Sequence, residues 1–191
     1  MKEVKLLCTK CSKEYSAKEV NFRCNICNEP LEVEEVKTGK INEGNSLNQT
    51  IMERYSDFFP FKSTKKELSL GAGFTPLTKS ERLAKKVGVK EIHFKNESQN
   101  PTWSFKDRGT AVAVQHAIKL GFKKIGTVSS GNMATSVAAF GSKSNLETFI
   151  FVKSDIPDEK INPVAIYNPT LLKITGNYED IYSRSYELGE E

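Results

Sequence analysis

The sequence predicts an α/β chain, with a small cysteine-built module at its N-terminus and then a parallel sheet flanked by helices. Three observations lead there. All four cysteines fall early, as Cys8-x-x-Cys11 and Cys24-x-x-Cys27. From Gly73 onward, short apolar runs alternate with stretches of helical periodicity, which is the pattern of parallel strands joined by helices. A composition of 38% hydrophobic and 27% charged residues over 191 positions suits one good core plus a small appended module.

The N-terminal module is defined by its thiols. Two C-x-x-C knuckles about a dozen residues apart have the spacing of tetrahedral zinc on thiolates, each knuckle placing two sulfurs on one side of a tight turn. Four such ligands leave no open position for water, so the metal would be structural. Two disulfides are the alternative, disfavoured because nothing suggests secretion; a redox C-x-x-C would not need a second pair. The runs Val4–Leu7 and Leu31–Glu34 fit short ribbon strands, and residues 1–38 read as a zinc ribbon.

Residues 39–72 read as a connector. Gly39, Asn42, Gly44, Asn45 and Asn48 mark loop, and one helix-like piece spans Ile51 to Phe59 and ends near Pro60. Phe58, Phe59 and Phe61 are suited to docking on the main domain, and no catalytic signal occurs here. In residues 73–191 a helix from Lys79 to Val87 is capped by Gly88. The alternation of Glu91–Lys95 fits a half-buried strand, and a helix through Val112, Val114, Ala117 and Ile118 stops near Gly121. Next come a strand at Lys124–Val128, a helix with Met133, Val137, Ala138 and Phe140 on its apolar face, and a strand at Glu147–Val152. The last elements are a helix at Asp158–Tyr167 strained by Pro163, a strand at Leu171–Thr175, and a helix at Asn177–Leu188 closed by Gly189.

The chemistry-bearing stretch is Asn100 to Gly109. Asn100-Pro101 is turn chemistry, and Ser104 with Asp107 forms a capping-box pattern, which puts Lys106 in the first turn of a helix. There the helix dipole gives a cation no support, and Trp103 and Phe105 beside it would strip water from the amine. Those conditions favour the neutral amine that Schiff-base chemistry needs. Spacing alone favours an ordinary solvated lysine. Further on, Lys124–Val128 runs into Ser129-Ser130-Gly131-Asn132 and a helix start, an arrangement that presents backbone N–H groups to an anion. By itself this is also a common turn.

The residues add more than the spacing. Gly73-Phe74-Thr75-Pro76-Leu77, then N-P-T-W-S-F-K-D-R-G, then S-S-G-N, in that order, closely resemble the motifs of the threonine synthase family, pyridoxal-phosphate enzymes of the tryptophan-synthase-like fold. The resemblance implies that Lys106 holds pyridoxal phosphate and is the catalytic residue, and that Asn132 contacts the 3′ oxygen of the pyridine ring. It also implies that Ser129 and Ser130 receive the carboxylate of a small phosphorylated amino acid. The implied reaction converts O-phospho-L-homoserine and water to L-threonine and phosphate, and a structural zinc ribbon accompanies it. Two positions depart from the pattern: Trp103 stands where many relatives have glycine, and Met133 where they often have threonine. The resemblance covers the front half of such enzymes. The later half supplies a glycine-rich loop for the cofactor phosphate, and no second glycine cluster follows Gly131. The chain is therefore expected to bind cofactor poorly alone, and three explanations stand open: a shortened piece of a longer protein, a split or decayed gene, or a short protein that works as a homo-oligomer or with a separate C-terminal half. Two other readings stand beside this one: a cysteate-synthase-like enzyme using phosphoserine and sulfite, and a non-catalytic zinc-binding fragment or subunit.

Bulk properties exclude other classes. The net charge of +4 comes from 28 basic and 24 acidic residues interspersed along the chain, not from a nucleic-acid-binding stripe. No apolar run has the length of a membrane span, and Lys2 and Glu3 argue against a signal peptide, so the expected compartment is the cytoplasm. His93 and His116 lack any partner pattern for a metal or a dyad. Tyr178, Tyr182 and Tyr186, at four-residue spacing, read as a packing stripe.

Overall fold

The computed structural model describes residues 4–34, 39–44, 49–59, 61 and 65–190. Asn45, Asn48 and Pro60, read as loop markers and a helix stop, lie outside these residues, as do Lys2 and Glu3. The N-terminal module is a three-stranded antiparallel sheet of β1 (Lys5–Cys8), β2 (Glu14–Ser16) and β3 (Leu31–Val33), in the order β2-β1-β3. Leu6 pairs with Tyr15 on one side and Val33 on the other. The sequence reading found central β1 and outer β3 but missed β2, because three residues carry too little alternation to register.

The connector is more integrated than a linker. Helix α1 (Ile51–Arg54) opens with a full capping box, the Thr50 hydroxyl accepting from the Glu53 N–H and the Glu53 carboxylate from the Thr50 N–H. It is one turn long, and a 3-10 turn over Ser56–Phe58 completes the helix-like piece expected to reach Phe59. Helix α1 buries Ile51 and Met52, which join Phe61 and Ala72 against Ala111, Val114, Ala139 and Phe140 of the main domain. Phe61 and Phe59 dock as expected, stacked at 6.0 Å, whereas Phe58 stays half-exposed against Tyr55.

Strand β4 (Leu77–Lys79), helix α2 (Glu81–Val87) and strand β5 (His93–Lys95) form a unit of their own, β4 pairing antiparallel with β5. This corrects two expectations. The helix expected from Lys79 begins two residues later because Lys79 is used in β4. The β5 residues are exposed on both faces and join no parallel sheet, so their alternation does not reflect a half-buried strand. Gly88 ends α2 in the left-handed region at φ 73°, the conformation a helix-terminating glycine supplies.

Helix α3 (Lys106–Lys119) buries Asp107, Thr110, Ala111, Val114 and Gln115, spaced at i, i+3, i+4, i+7 and i+8. A parallel sheet follows, built from β6 (Lys124–Val128), β7 (Glu147–Lys153) and β8 (Thr170–Ile174) in sequence order. Helices α4 (Asn132–Lys143), α5 (Asp158–Ala165) and α6 (Tyr178–Glu190) connect and follow its strands. Central β7 buries Thr148, Ile150, Phe151 and Val152, the near-continuous burial of a parallel strand covered on both faces. Helix α4, sandwiched between α3 and the sheet, buries seven of its residues around Phe140. α5 ends at Ala165, two residues before Tyr167, with Pro163 in its last turn. α6 runs through Gly189 instead of stopping there. Its start is reciprocal: Asp180 N–H donates to Asn177 Oδ1 at 2.9 Å, and Asn177 N–H to Asp180 Oδ2.

Among the described residues, no helix is long and apolar enough to cross a membrane. Among the described residues, the ribbon meets the main domain at α3 and at α6, where Arg23 lies 5.5 Å from the Tyr186 ring centre. His116 Nε2 lies 3.2 Å from the Ala17 carbonyl while its ring stacks on Phe61, and Phe22 meets the Tyr186 ring edge-on at 5.6 Å. His116 and Tyr186 are thus packing residues, as read. Tyr178 and Tyr182 stack on each other but stay exposed.

Candidate active site and cysteine cluster

Lys106 opens α3, as expected, but by another device than the capping box. Phe105 is the residue before the helix and makes no side-chain cap. Ser104 Oγ accepts from the Lys106 N–H at 3.3 Å, while Asp107 turns away from Ser104 into the protein. There it is fully buried and accepts from the Thr102 N–H at 2.7 Å, the Thr102 hydroxyl at 2.6 Å and the Ser136 hydroxyl at 2.7 Å. A buried carboxyl so satisfied holds the turn before α3 against the first turns of α4. The two rings expected to desolvate Lys106 stand in solvent, Trp103 at 79% exposure and Phe105 at 57%. The Phe105 ring lies 4.4 Å from Lys106 Nζ.

A second polar lock lies beside the first. Arg108 donates from Nε and Nη2 to both oxygens of Glu97, each at 2.8 Å, and from Nη2 to Thr75 Oγ1. Asn100 donates from Nδ2 to Glu97 and accepts the Gly73 N–H at Oδ1, so the Gly73–Leu77 segment is fastened to the lysine loop. The Arg108 guanidinium, with help from Asn100 and Thr75, holds the Glu97 carboxyl down to about 2 from an ordinary 4.5. Sequence reasoning assigned no role to Glu97 or Ser136, and it gave Asp107 a capping role that the structure replaces with the buried one. The one available hint was a pair of hydroxyls, Thr135 and Ser136, in an otherwise small-apolar helix.

Asn132 is the first residue of α4, and Gly131 before it supplies no side-chain cap, so the first amides of the helix are left open. Ser130 and Asn132 are exposed. Ser129 is half-buried, and its Oγ accepts from the Gly131 N–H at 3.2 Å, bracing its own turn. Met133, the position where a hydroxyl was missed, packs into the core with Val137 and Ile150. The Asp107–Ser136 bond sets the starts of α3 and α4 side by side, bringing together the elements that carry Lys106 and Asn132. The α4 start follows the carboxyl end of β6, the usual position for ligands in open α/β sheets, and the bond places the α3 start beside it. A polar cleft of about 230 Å³ lined by Asn145, Glu147, Asn168 and Thr170 opens instead at the amino ends of β7 and β8.

The four cysteines cluster elsewhere. All four Sγ atoms lie within 4.8 Å of one another, with Cys8–Cys27 at 3.4 Å and Cys11–Cys24 at 3.5 Å. These separations are far beyond a disulfide's roughly 2.05 Å. They match a tetrahedron with metal–sulfur bonds of about 2.3 Å, so the donor set fits a zinc ion. The pairs run across the two knuckles, not within them. The Tyr15 hydroxyl is the chief cause that holds the Cys24 thiol down to about 5, and partial burial pushes Cys27 up to about 12. The ribbon touches α3 at His116, about 15 Å along the helix from Lys106, so the cluster is remote from the lysine.

Comparison with known proteins accounts for this arrangement. Residues 68–191 match the family model of the pyridoxal-phosphate dependent enzymes. The chain is 34% identical over 190 residues to a threonine synthase of Methanocaldococcus jannaschii, covering 96% of this chain and 46% of that protein. It is 32% identical over 178 residues to a threonine synthase of Methanosarcina acetivorans, covering 92% and 44%. It therefore spans about half the length of the curated relatives it matches. Among solved structures it resembles a serine racemase of Dictyostelium discoideum (28% identity, TM-score 0.54, covering 61% of this chain and 38% of that one). It also resembles a threonine deaminase of Solanum lycopersicum (27% identity, TM-score 0.54, covering 61% and 32%). The matched segment contains both helix starts and the polar locks between them: the chain belongs to the family of pyridoxal-phosphate dependent enzymes.

Proposed function

We propose that this chain carries the lysine-bearing part of a threonine-synthase-type site, acting on O-phospho-L-homoserine and water to give L-threonine and phosphate. The observation that carries the reading is the Asp107–Ser136 bond, which sets the element holding Lys106 beside the one holding Asn132. The threonine synthase relatives at 32–34% identity support the substrate class. Pyridoxal phosphate, when bound, supplies an electron sink for chemistry at the carbons of an amino acid. Lys106 Nζ has no hydrogen-bond or ion-pair partner among the described residues, leaving the amine available to hold the cofactor and then to carry protons between substrate carbons. Asn132 would orient the ring through its carboxamide. Ser130, with the open amides at the start of α4, would take the substrate carboxylate. Ser129 would shape that turn, and Met133 would contribute packing only. The four cysteines would hold one structural zinc ion.

The test is titration of the purified chain with pyridoxal phosphate, followed by borohydride reduction and peptide mapping. A saturable visible band with label confined to Lys106, absent from Lys106→Ala, supports the site. Label scattered over surface lysines overturns it for the chain alone. Phosphate release from O-phosphohomoserine, set against release from O-phosphoserine with sulfite, then decides the substrate.

A further inference from the structure

Among the described residues of the ribbon, Tyr15 sets a side-chain hydroxyl against the cysteine cluster. Tyr15 lies on β2, opposite Leu6 of β1, and its hydroxyl reaches 3.2 Å from Cys24 Sγ. That hydroxyl is itself positioned, since it accepts the Asn25 N–H at 2.9 Å and lies 2.9 Å from Asn25 Oδ1. Lys13 donates to the same Oδ1 at 2.9 Å, and its ammonium sits 5.4 Å from the Tyr15 ring centre. Asn25 Oδ1 therefore already has a donor in Lys13. The Tyr15 oxygen is occupied as an acceptor by the Asn25 N–H, and its single proton has two acceptors in reach, Asn25 Oδ1 at 2.9 Å and Cys24 Sγ at 3.2 Å, of which an anionic thiolate is the stronger.

We propose that Tyr15 is a positioning residue of the metal centre, its O–H fixing the Cys24 sulfur in the orientation that completes the tetrahedron and slowing its dissociation from the ion. This rests on the metal reading of the four cysteines given above. The backbone contributes similar bonds at two thiols, from the Lys10 and Cys11 N–H groups to Cys8 Sγ and from the Ile26 N–H to Cys24 Sγ. Tyr15 is the side-chain donor among them. Partners of this kind orient ligands and typically change metal affinity by about ten- to a hundredfold when removed. The hydroxyl also comes from a strand outside both knuckles, so the metal centre and the pairing of β1 with β2 reinforce each other.

The experiment loads the full chain with zinc or cobalt(II) and follows competition against a chelator, with the cobalt thiolate spectrum as a second readout. If the wild-type chain takes up no stoichiometric metal on four thiolates, the metal reading itself fails. Given that uptake, Tyr15→Phe should keep the four-thiolate cobalt spectrum and the ring's contact with Lys13. It should also lose metal to the chelator about ten- to a hundredfold more readily. Affinity and exchange rate equal to wild type would overturn the inference. Asn25→Ala removes the competing acceptor and should hold metal at least as tightly as wild type. A loss matching that of Tyr15→Phe would show that the Tyr15–Asn25 contact, not the bond to sulfur, matters, and would overturn it equally.

Discussion

Ser136 donates a 2.7 Å hydrogen bond to Asp107 Oδ1, joining the residue next to Lys106 to the residue one turn beyond Asn132. Ser136 Oγ also lies 2.8 Å from the Thr110 hydroxyl, so α3 and α4 meet through a buried polar seam inside an otherwise apolar interface. Such a seam permits one register of the two helices, because any slip leaves buried donors without partners.

Removing the centre of that seam should be costly. Asp107→Ala strands the Thr102 amide, the Thr102 hydroxyl and the Ser136 hydroxyl in a site with no exposure. The expected loss is about 3 kcal/mol or more, read from urea unfolding. Ser136→Ala, which removes one donor and leaves Asp107 bound to Thr102, should cost only about 1 kcal/mol. It should nevertheless weaken pyridoxal-phosphate binding to Lys106 measurably, because the two helix starts are no longer tied. An unchanged cofactor titration in folded Ser136→Ala would separate the seam from the site.

Glu97 supplies a pH dependence of known sign. Its carboxyl is lower in the folded chain, about 2, than the ordinary 4.5, so it stabilises the fold above about 4.5 and loses that contribution as pH falls toward 2. At about 1.4 kcal/mol per pH unit the contribution is on the order of 3 kcal/mol at neutral pH, less whatever solvent screens at this partly exposed pair. Unfolding free energy measured from pH 6 to pH 2.5 should fall more steeply in wild type than in Glu97→Gln. Parallel curves would remove the Arg108 pairing from the account.

Gly73 is set where a side chain cannot go. Its φ is 93°, and a Cβ there would lie 1.9 Å from Ile51 Cγ2 of α1. Gly73→Ala should therefore displace α1 or the Gly73–Leu77 segment and break the Gly73 N–H bond to Asn100. The expected destabilisation is about 2 kcal/mol or more. Ile51→Ala in the same chain, by clearing the methyl, should recover part of the loss; no recovery would point to backbone strain alone.

Much of this was readable from residues, and the exceptions share a cause. The β6-α4-β7-α5-β8-α6 order, the placement of Lys106 and Asn132 at helix starts, and the cysteine cluster all follow from local pattern, which sequence displays directly. Asp107 was misread because a first-turn acid three residues after a serine looks like a cap. Thr102 and Ser136, one of them 29 residues away along the chain, satisfy it better inside the fold. β5 was misread because its alternation has no buried face to report. Tyr15 escaped because its strand is three residues long and its partner sulfur nine residues away. Contacts set by tertiary placement leave little trace in local pattern.

Trp103 offers a test of backbone conformation against side chain. It sits at φ 59°, closing the Asn100–Trp103 turn through its N–H to the Asn100 carbonyl at 2.9 Å, with its ring in solvent. A non-glycine residue there carries about 1–2 kcal/mol of left-handed strain. Glycine removes the strain and gives back about 0.5–1 kcal/mol through a freer unfolded chain. Trp103→Gly should thus be stabilising by about 0.5–1 kcal/mol, while Trp103→Ala, which keeps the strain and loses little burial, should stay within about 0.5 kcal/mol of wild type. Both follow from urea unfolding midpoints at constant slope. If both variants lose stability equally, the ring makes a contact that its exposure conceals, and the turn conformation is not what this position is selected by. If only glycine gains, the indole is carried at a cost to the fold, and a role for it at the mouth of the Lys106 site becomes the question to pursue with cofactor on-rates in the same two variants.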